Sequence, residues 1–377
     1  MVGKTLKFED GAVQFRQRLI TSILSHRSIL IRNIRSDDVI QPGLHEHEAS
    51  FLRLLDRMTN GTIVEINATG TQLRFKPGVL LGGSVEHECP NSRAIGWFLE
   101  GILPLAPFGK EALDVSFTGI THGTAEVDPT PDYIAASLLP LLLNFGVGVD
   151  ADESPPPSCR VTKRGAYPEG QGTVQFFCPI VKEIKPIDLV EVGKIKRVRG
   201  TAVSCKISPS SPTRVAHAAK GLLHRLLPDV WIHTDVHSSR KGNGCGPSPG
   251  LSLCLSAEST TGVVYTVECN LDTKHKRGAE LPEDLGIKGA AMLLHEIQLG
   301  GCIDSSAQSL ALLLMCLGPE DVSRIRVGTL SQFAIGSLRL FKEAFGVEFK
   351  VRADQESKTV LLSCLGTGFR NMAKAST

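Results

Sequence analysis

The stretch Thr62-Ile63-Val64-Glu65-Ile66-Asn67, then Ala68-Thr69-Gly70-Thr71, then Gln72-Leu73-Arg74-Phe75 decides how the chain is read. The first six residues are rich in β-branched side chains (Thr62, Ile63, Val64 and Ile66) and predict a strand. The Gly-containing tetrad predicts a turn, and the last four residues its partner strand. Downstream, residues 92–105 place Ile95, Phe98, Leu99, Ile102 and Leu103 at helical spacing. Further strands are expected at 113–119 and 174–179. Further helices are expected at 132–145, after a Pro-rich start, and at 305–317, where the nearly continuous apolar character implies burial. A unit of strand pair, Gly/Pro turn and apolar helix ending in Gly recurs loosely near 62–109, 113–148 and 300–346. Strands alternating with helices imply an α/β (α+β) fold.

The chain has 377 residues, more than one hydrophobic core usually serves, so more than one packing unit is expected. Residues 188–276 differ in texture. They open on the basic run Lys194-Ile195-Lys196-Arg197-Val198-Arg199-Gly200, continue into a helix over 212–227 and a strand over 230–234, and pass a Gly/Ser-rich loop at 238–250 to a hairpin over 251–269. This reads as an inserted small α/β domain, with 274–278 as the return linker. The expected division is 1–187, 188–276 and 277–377, the outer two forming one large domain. A second polar, Pro-rich loop is expected at 150–158.

Formal net charge is only +2 and aromatic content 5%. Nucleic-acid contact must therefore rest on local patches, and a stacking surface built from several aromatics is disfavoured. The ten cysteines show no CxxC pair and no zinc spacing, so no metal is expected and reduced thiols are. Residues 1–10 carry Lys4, Lys7, Glu9 and Asp10 and no apolar run, so no secretory signal is expected. The most apolar stretches, 135–149 and 309–318, fall short of the ~18 residues that span a bilayer.

Four segments resemble the RNA 3'-terminal phosphate cyclase family. They are Asp10-Gly11-Ala12-Val13-Gln14-Phe15-Arg16, Pro42-Gly43-Leu44, Arg164-Gly165-Ala166-Tyr167-Pro168-Glu169-Gly170-Gln171-Gly172, and Asp304-Ser305-Ser306-Ala307-Gln308-Ser309-Leu310. Gly82-Gly83-Ser84-Val85-Glu86-His87 and Leu281-Pro282-Glu283-Asp284-Leu285-Gly286 resemble the cyclase-like branch of eukaryotic nucleoli. The resemblance implies three βαβαββ-type repeats plus the inserted domain. It also implies the ATP-dependent chemistry of that family, in which a histidine takes AMP and passes it to an RNA 3'-phosphate. Here Asp304 stands in that histidine's place, and Ala12 and Val13 replace two glycines of the phosphate loop Asp10-Gly11-Ala12-Val13-Gln14. A β-branched residue does not readily adopt φ > 0, and an acyl-adenylate on Asp304 would hydrolyse far faster than a histidine phosphoramidate. The expectation is a non-cyclising protein with no cofactor. By resemblance it would act in small ribosomal subunit biogenesis in the nucleolus, within the small-subunit processome, with pre-rRNA and a ribosome-assembly GTPase as partners and as a monomer outside that complex. An endonuclease cleaving pre-rRNA is the alternative, and a residual nucleotidyl transferase a third reading.

Arg32, Arg35, Arg164 and the run Lys194, Lys196, Arg197 and Arg199 are candidates for anion or RNA binding. On a strand, Lys194 and Lys196 would face one side and Arg197 and Arg199 the other. A solvated edge strand is the plainer reading of the same run. His45-Glu46-His47-Glu48 reads as a solvated helix face, and His233 with His237 on a strand gives no metal site. Asp304-Ser305-Ser306 open a buried helix as a cap would. Arg339 and Lys342 read as an exposed basic edge beside Leu338 and Phe341 and are candidates for partner binding. Related cyclase-like proteins have Arg-Asp-x-Lys there. This chain has Arg339-Leu340-Phe341-Lys342 and lacks the carboxylate a metal-assisted nuclease would use.

Overall fold

The computed structural model describes residues 5–122, 128–149, 155–237, 244–271 and 281–372. A first unit contains β1 (Leu6–Phe8), α1 (Phe15–Ser25), β2 (Ile29–Ile31), α2 (Glu46–Met58), β3 (Thr59–Asn60), β4 (Ile63–Ile66), β5 (Leu73–Lys76) and β6 (Val79–Leu80). A second contains β7 (Gly83–Glu88), α3 (Ile95–Ile102), β8 (Leu113–Gly119), α4 (Pro131–Tyr133), a π-helical segment (Ile134–Leu138), α5 (Leu139–Asn144), β9 (Ser158–Lys163) and β10 (Gly172–Cys178). A third opens with β11 (Asp188–Leu189) and is interrupted by β12 (Ile195–Cys205), α6 (Ser210–Leu223), β13 (Val230–His237), β14 (Gly250–Ser259), β15 (Val264–Asn270) and α7 (Pro282–Leu299). It resumes with α8 (Gln308–Leu317), β16 (Val322–Val327), α9 (Gln332–Phe345), β17 (Lys350–Asp354) and β18 (Thr359–Leu365).

Three sheets share one design. Their strand orders are β1-β2-β5-β4, β7-β8-β10-β9 and β11-β16-β18-β17. In each, the first pair is parallel and the other two are antiparallel. A parallel pair needs a crossover, which α1, α3 and α8 supply. The threefold repeat is therefore present, but in a different frame from the loose one read in the sequence. The strand pair over residues 63–76 closes the first unit rather than opening the second. Hydrophobic periodicity marks the elements, whereas pairing decides the frame.

One core runs through all three units, from Leu6, Ile29 and Phe75 through Phe98, Phe117 and Phe176 to Leu314, Phe341 and Leu362. A second core belongs to the insertion. The sheet β13-β12-β14-β15 turns Val198, Ala202, Leu253 and Tyr265 onto Val215 and Ala219 of α6 and onto Leu285 and Leu293 of α7. The helix α7 is thus packed with the insertion, which continues past the boundary expected at 276. The linker expected at 274–278 lies outside the described residues, as do residues 150–154 and 238–243 of the two expected loops.

The helix expected at 132–145 is present with an interruption. The π turn re-phases the backbone so that Pro140 enters the first turn of α5, where its missing N–H leaves no helical bond unmade.

Two helical glycines distinguish packing from propensity. A Cβ at Gly96 would stand 1.7 Å from the Pro129 carbonyl oxygen, whereas one at Gly221, in α6, would meet nothing within 4 Å. Gly96→Ala should therefore lose several kcal/mol, in the range of overpacked cores. Gly221→Ala should gain about 0.5–1 kcal/mol, the helix preference of Ala. Urea unfolding of the two variants beside the natural protein reads both, and equal behaviour of the two would refute the packing at α3.

Candidate functional site

A cleft of about 560 Å³ lies where the ends of several helices meet the insertion. Arg16 of α1, Glu100 of α3, Tyr133, Glu268 of β15, Glu296 of α7 and Ser305, before α8, all line it, with Asp128 and Ser331 at its sides. The segments that carry the loop at 10–16 and the turn at 304–307 are 288 or more residues apart in sequence, yet both reach this one space.

Asp304 is 1% exposed. One carboxylate oxygen accepts from the Tyr133 hydroxyl at 2.7 Å and from the Ala307 backbone N–H at 2.9 Å, and the other from Ser137 Oγ at 2.6 Å. Tyr133 directly precedes the π segment and Ser137 lies within it, and four residues apart on one helical face they reach the same carboxylate. Burial raises the Asp304 pKa, against the lowering effect of the three donors. The Ala307 N–H bond makes Asp304 the cap of the turn at 304–307 that leads into α8, one turn before the helix itself begins at Gln308. Next to it, Glu296 accepts from Ser305 Oγ at 2.5 Å and Ser305 N at 3.1 Å. Gln308, 2% exposed, joins α8 to the start of α9 through Thr329 O at 2.9 Å and Ser331 N at 3.0 Å.

The loop at 10–14 is held by contacts within the chain. Positive φ falls on Gly11 (+67°) and Gln14 (+49°). The requirement for left-handed backbone therefore lies on either side of Ala12 and Val13. A Cβ at Gly11 would stand 2.7 Å from Asn33 O, so this glycine is demanded by packing. Val13 is 56% exposed, and Gln14 Nε2 donates to Phe333 O at 2.9 Å. Arg18, which the sequence reading passed over, is buried. It grips both oxygens of Asp10 at 2.7 Å, donates to Gly11 O at 2.9 Å and lies 4.2 Å over the Phe8 ring. Its one signal in the sequence is a cation beside Leu19 on the apolar stripe of α1.

Residues 7–351 match the family described as RTC: RNA 3'-terminal phosphate cyclase. The chain belongs to the RNA 3'-terminal phosphate cyclase family. It is 46% identical to a probable RNA 3'-terminal phosphate cyclase-like protein of Dictyostelium discoideum, over 98% of this chain and 100% of the relative. It is 46% identical to the RNA 3'-terminal phosphate cyclase-like protein of Homo sapiens, over 97% and 96%. A Schizosaccharomyces pombe protein named rRNA processing protein rcl1 is 39% identical over 97% of each chain.

Within this cyclase-family fold, the candidate cations do not form one patch. Arg164 is buried and clamped by both oxygens of Asp132, with Asp235 at 3.5 Å. It ties the second unit to the insertion. Arg35 is paired with Glu48 and donates to Gly43 O at 2.8 Å. Arg32 pairs with Glu9 at 3.1 Å, beside the loop at 10–14. The run at 194–199 lies on β12, where a bulge between Ile195 and Arg197 breaks the alternation expected there. Lys196 and Arg197 consequently reach the same carboxylate, Glu258, at 2.5 Å each, and Arg199 pairs with Asp229 at 2.7 Å. Arg339 and Lys342 lie exposed on α9, Lys342 with Glu348 at 2.8 Å.

The solvated face expected at His45-Glu46-His47-Glu48 is corrected. His47 is buried edge-on to Trp97, 5.0 Å between centroids, and burial lowers its pKa to about 4. Glu48 is buried and closes the capping box of α2 by accepting from His45 N at 2.8 Å. His233 is exposed, and His237 Nε2 lies 2.8 Å from Asp235 Oδ2. Among the described residues, no group of three or more His, Cys, Asp or Glu side chains is placed to hold a metal ion.

On the cleft wall, Glu268 accepts from Thr130 N at 3.0 Å and from the Thr130 hydroxyl. Burial pushes its pKa up to about 8, overriding those donors, with Asp132 and Asp304 adding repulsion. Glu268 is thus held protonated by the fold over a range where the unfolded chain ionises. Stability attributable to this group is complete below about pH 4.5 and is lost as pH rises towards 8. Relative to Glu268→Gln, the natural protein should therefore lose stability between about pH 5 and 8 and hold level above. Urea midpoints of both proteins across that range test the sign, and parallel curves would place Glu268 in ordinary solvent.

Proposed function

We propose that this chain is a non-cyclising member of its family that acts in rRNA processing. In that reading it serves maturation of the small ribosomal subunit in the nucleolus, within the small-subunit processome, as a binding factor for pre-rRNA and a ribosome-assembly GTPase. The observation that carries the proposal is Asp304. At the position the resemblance gives to the cyclase nucleophile stands a buried carboxylate whose two oxygens receive three hydrogen bonds from its own chain. A nucleophile needs an oxygen lone pair directed at phosphorus along an open path. The name of the S. pombe relative supports the rRNA-processing part of the reading.

The endonuclease reading has less support. Among the described residues four carboxylates reach the cleft, and each is engaged: Asp128 with Arg93 and Ala94 N, Glu100 with Arg16, Glu268 with Thr130, and Glu296 with Ser305. Metal-assisted hydrolysis needs carboxylates free to hold the ion.

Incubation with labelled ATP should leave no stable AMP on the protein, and RNA ending in a 3'-phosphate should stay uncyclised. Asp304→His should also give little or no cyclase activity. The larger ring would strand the Tyr133 and Ser137 hydroxyls, costing about 1–3 kcal/mol of stability, and groups that act as a unit return little when one is repaired. Covalent AMP that survives denaturation and maps to the cleft would overturn the pseudo-enzyme reading. The GTPase contact is tested by Arg339→Glu with Lys342→Glu. These exposed cations suit steering of an acidic segment, so the double variant should stay folded and lose the GTPase in a pull-down. Full retention would remove α9 from the partner surface.

A further inference from the structure

We propose that the open face of the inserted sheet is a platform for single-stranded RNA, with Trp231 as the base-stacking group. The inference rests on the reading above that the protein contacts RNA, and adds where and in what form. The sheet has two unlike faces. One packs Val198, Ile232, Leu253 and Tyr265 into the second core. The other carries Trp231, Arg199, Ser256 and Thr266 in one row, set by the registers Trp231↔Arg199, Arg199↔Ser256 and Ser256↔Thr266, open at Trp231, half-buried at Arg199 and Ser256 and buried at Thr266. Trp231 is 67% exposed at the free edge of the sheet, on β13. The other tryptophan, Trp97, is 7% exposed.

The surroundings of Trp231 choose the occupant. Lys220 Nζ lies 5.8 Å from the ring centroid. Lys196, Arg197 and Arg199 lie on the neighbouring strand with two carboxylates between them, Glu258 and Asp229. Both carboxylates have their pKa lowered, chiefly by those hydrogen-bonded cations, so they are charged at neutral pH. Four cations against two anions leave a local surplus of +2 around an exposed ring that Lys220 approaches. A phosphate chain is attracted to that surplus, and an unstacked base has the flat partner the ring lacks. An acidic peptide would use the charge but not the ring, and duplex RNA offers no free base face. The row also has a direction. Thr266, at its far end, lines the cleft, and at about 4.8 Å per strand Trp231 stands roughly 14 Å from it. A strand stacked on Trp231 would run along the row towards the cleft.

Trp231 is a built-in reporter, since the second tryptophan is buried. Titration of the full chain with a single-stranded oligoribonucleotide of about 12 nucleotides, a usual site size, should quench its fluorescence. A duplex of equal length and inorganic polyphosphate should not. Trp231→Ala should weaken single-strand binding about 5- to 100-fold, the range of one lost base stack, and leave the salt slope unchanged. Trp231→Phe should restore most of the affinity. Lys196→Ala with Lys220→Ala should instead reduce the slope by up to about 0.7 per lost contact. Binding without quenching, at equal affinity in Trp231→Ala, would overturn the platform while leaving the rRNA-processing reading standing. Equal binding of polyphosphate with equal quenching would also overturn it, marking a general anion site. No binding of RNA by the natural protein would remove the platform and the RNA contact together. If Trp231→Ala loses the GTPase in a pull-down while RNA binding is unchanged, the face belongs to a protein partner.

Discussion

The arrangement of the cleft depends on one buried carboxylate. Asp304 receives a tyrosine hydroxyl, a serine hydroxyl and a backbone N–H, so it fixes the start of α8 against the π segment of the second unit. An ion in this position costs free energy unless its lone pairs are satisfied. Three donors supply that satisfaction, two of them, Tyr133 and Ser137, from one face of the same helical run. Glu296 repeats the theme one residue later by holding Ser305. The turn that opens α8 is therefore bound on both sides, through Asp304 and through Ser305.

Much of the fold was legible, because its elements are short and strongly periodic. The strands expected at 62–67 and 72–75 became β4 and β5. The expected 113–119 strand is β8 with an apolar face alternating against an exposed one. The repeat frame was not legible, since local pattern does not state which strands pair. The end of the insertion was missed for a related reason. The helix α7 has little amphipathic contrast, and only its packing on Leu253 and Tyr265 assigns it to the smaller core. The site was less legible still. Basic residues in a row suggest a patch, but nothing in the sequence near 194–199 announces that Glu258, about 60 residues on, will meet two of them. His47 and Glu48 look solvated by composition, but His47 is buried against Trp97 from another unit and Glu48 folds back onto His45 N and Arg35.

These pairings share a physical consequence. Arg16 with Glu100, Arg18 with Asp10, Arg35 with Glu48, Arg93 with Asp128 and Arg164 with Asp132 are all partly or wholly buried. A guanidinium committed to a carboxylate at such depth cannot also neutralise a ligand phosphate without breaking the pair, and leaving one partner buried alone costs about 3–5 kcal/mol. The cleft therefore offers a nucleotide triphosphate little uncompensated positive charge: Arg16 on its wall is paired with Glu100. Cations on the outer part of the insertion are different. Their pairs lie in solvent, where exchange of a carboxylate for a phosphate is nearly free because exposed pairs are worth only ~0–1 kcal/mol. The same chain thus holds its deep arginines as structure, whereas the pairs of Lys196, Arg197 and Arg199 with Glu258 and Asp229 stand where solvent can reach them.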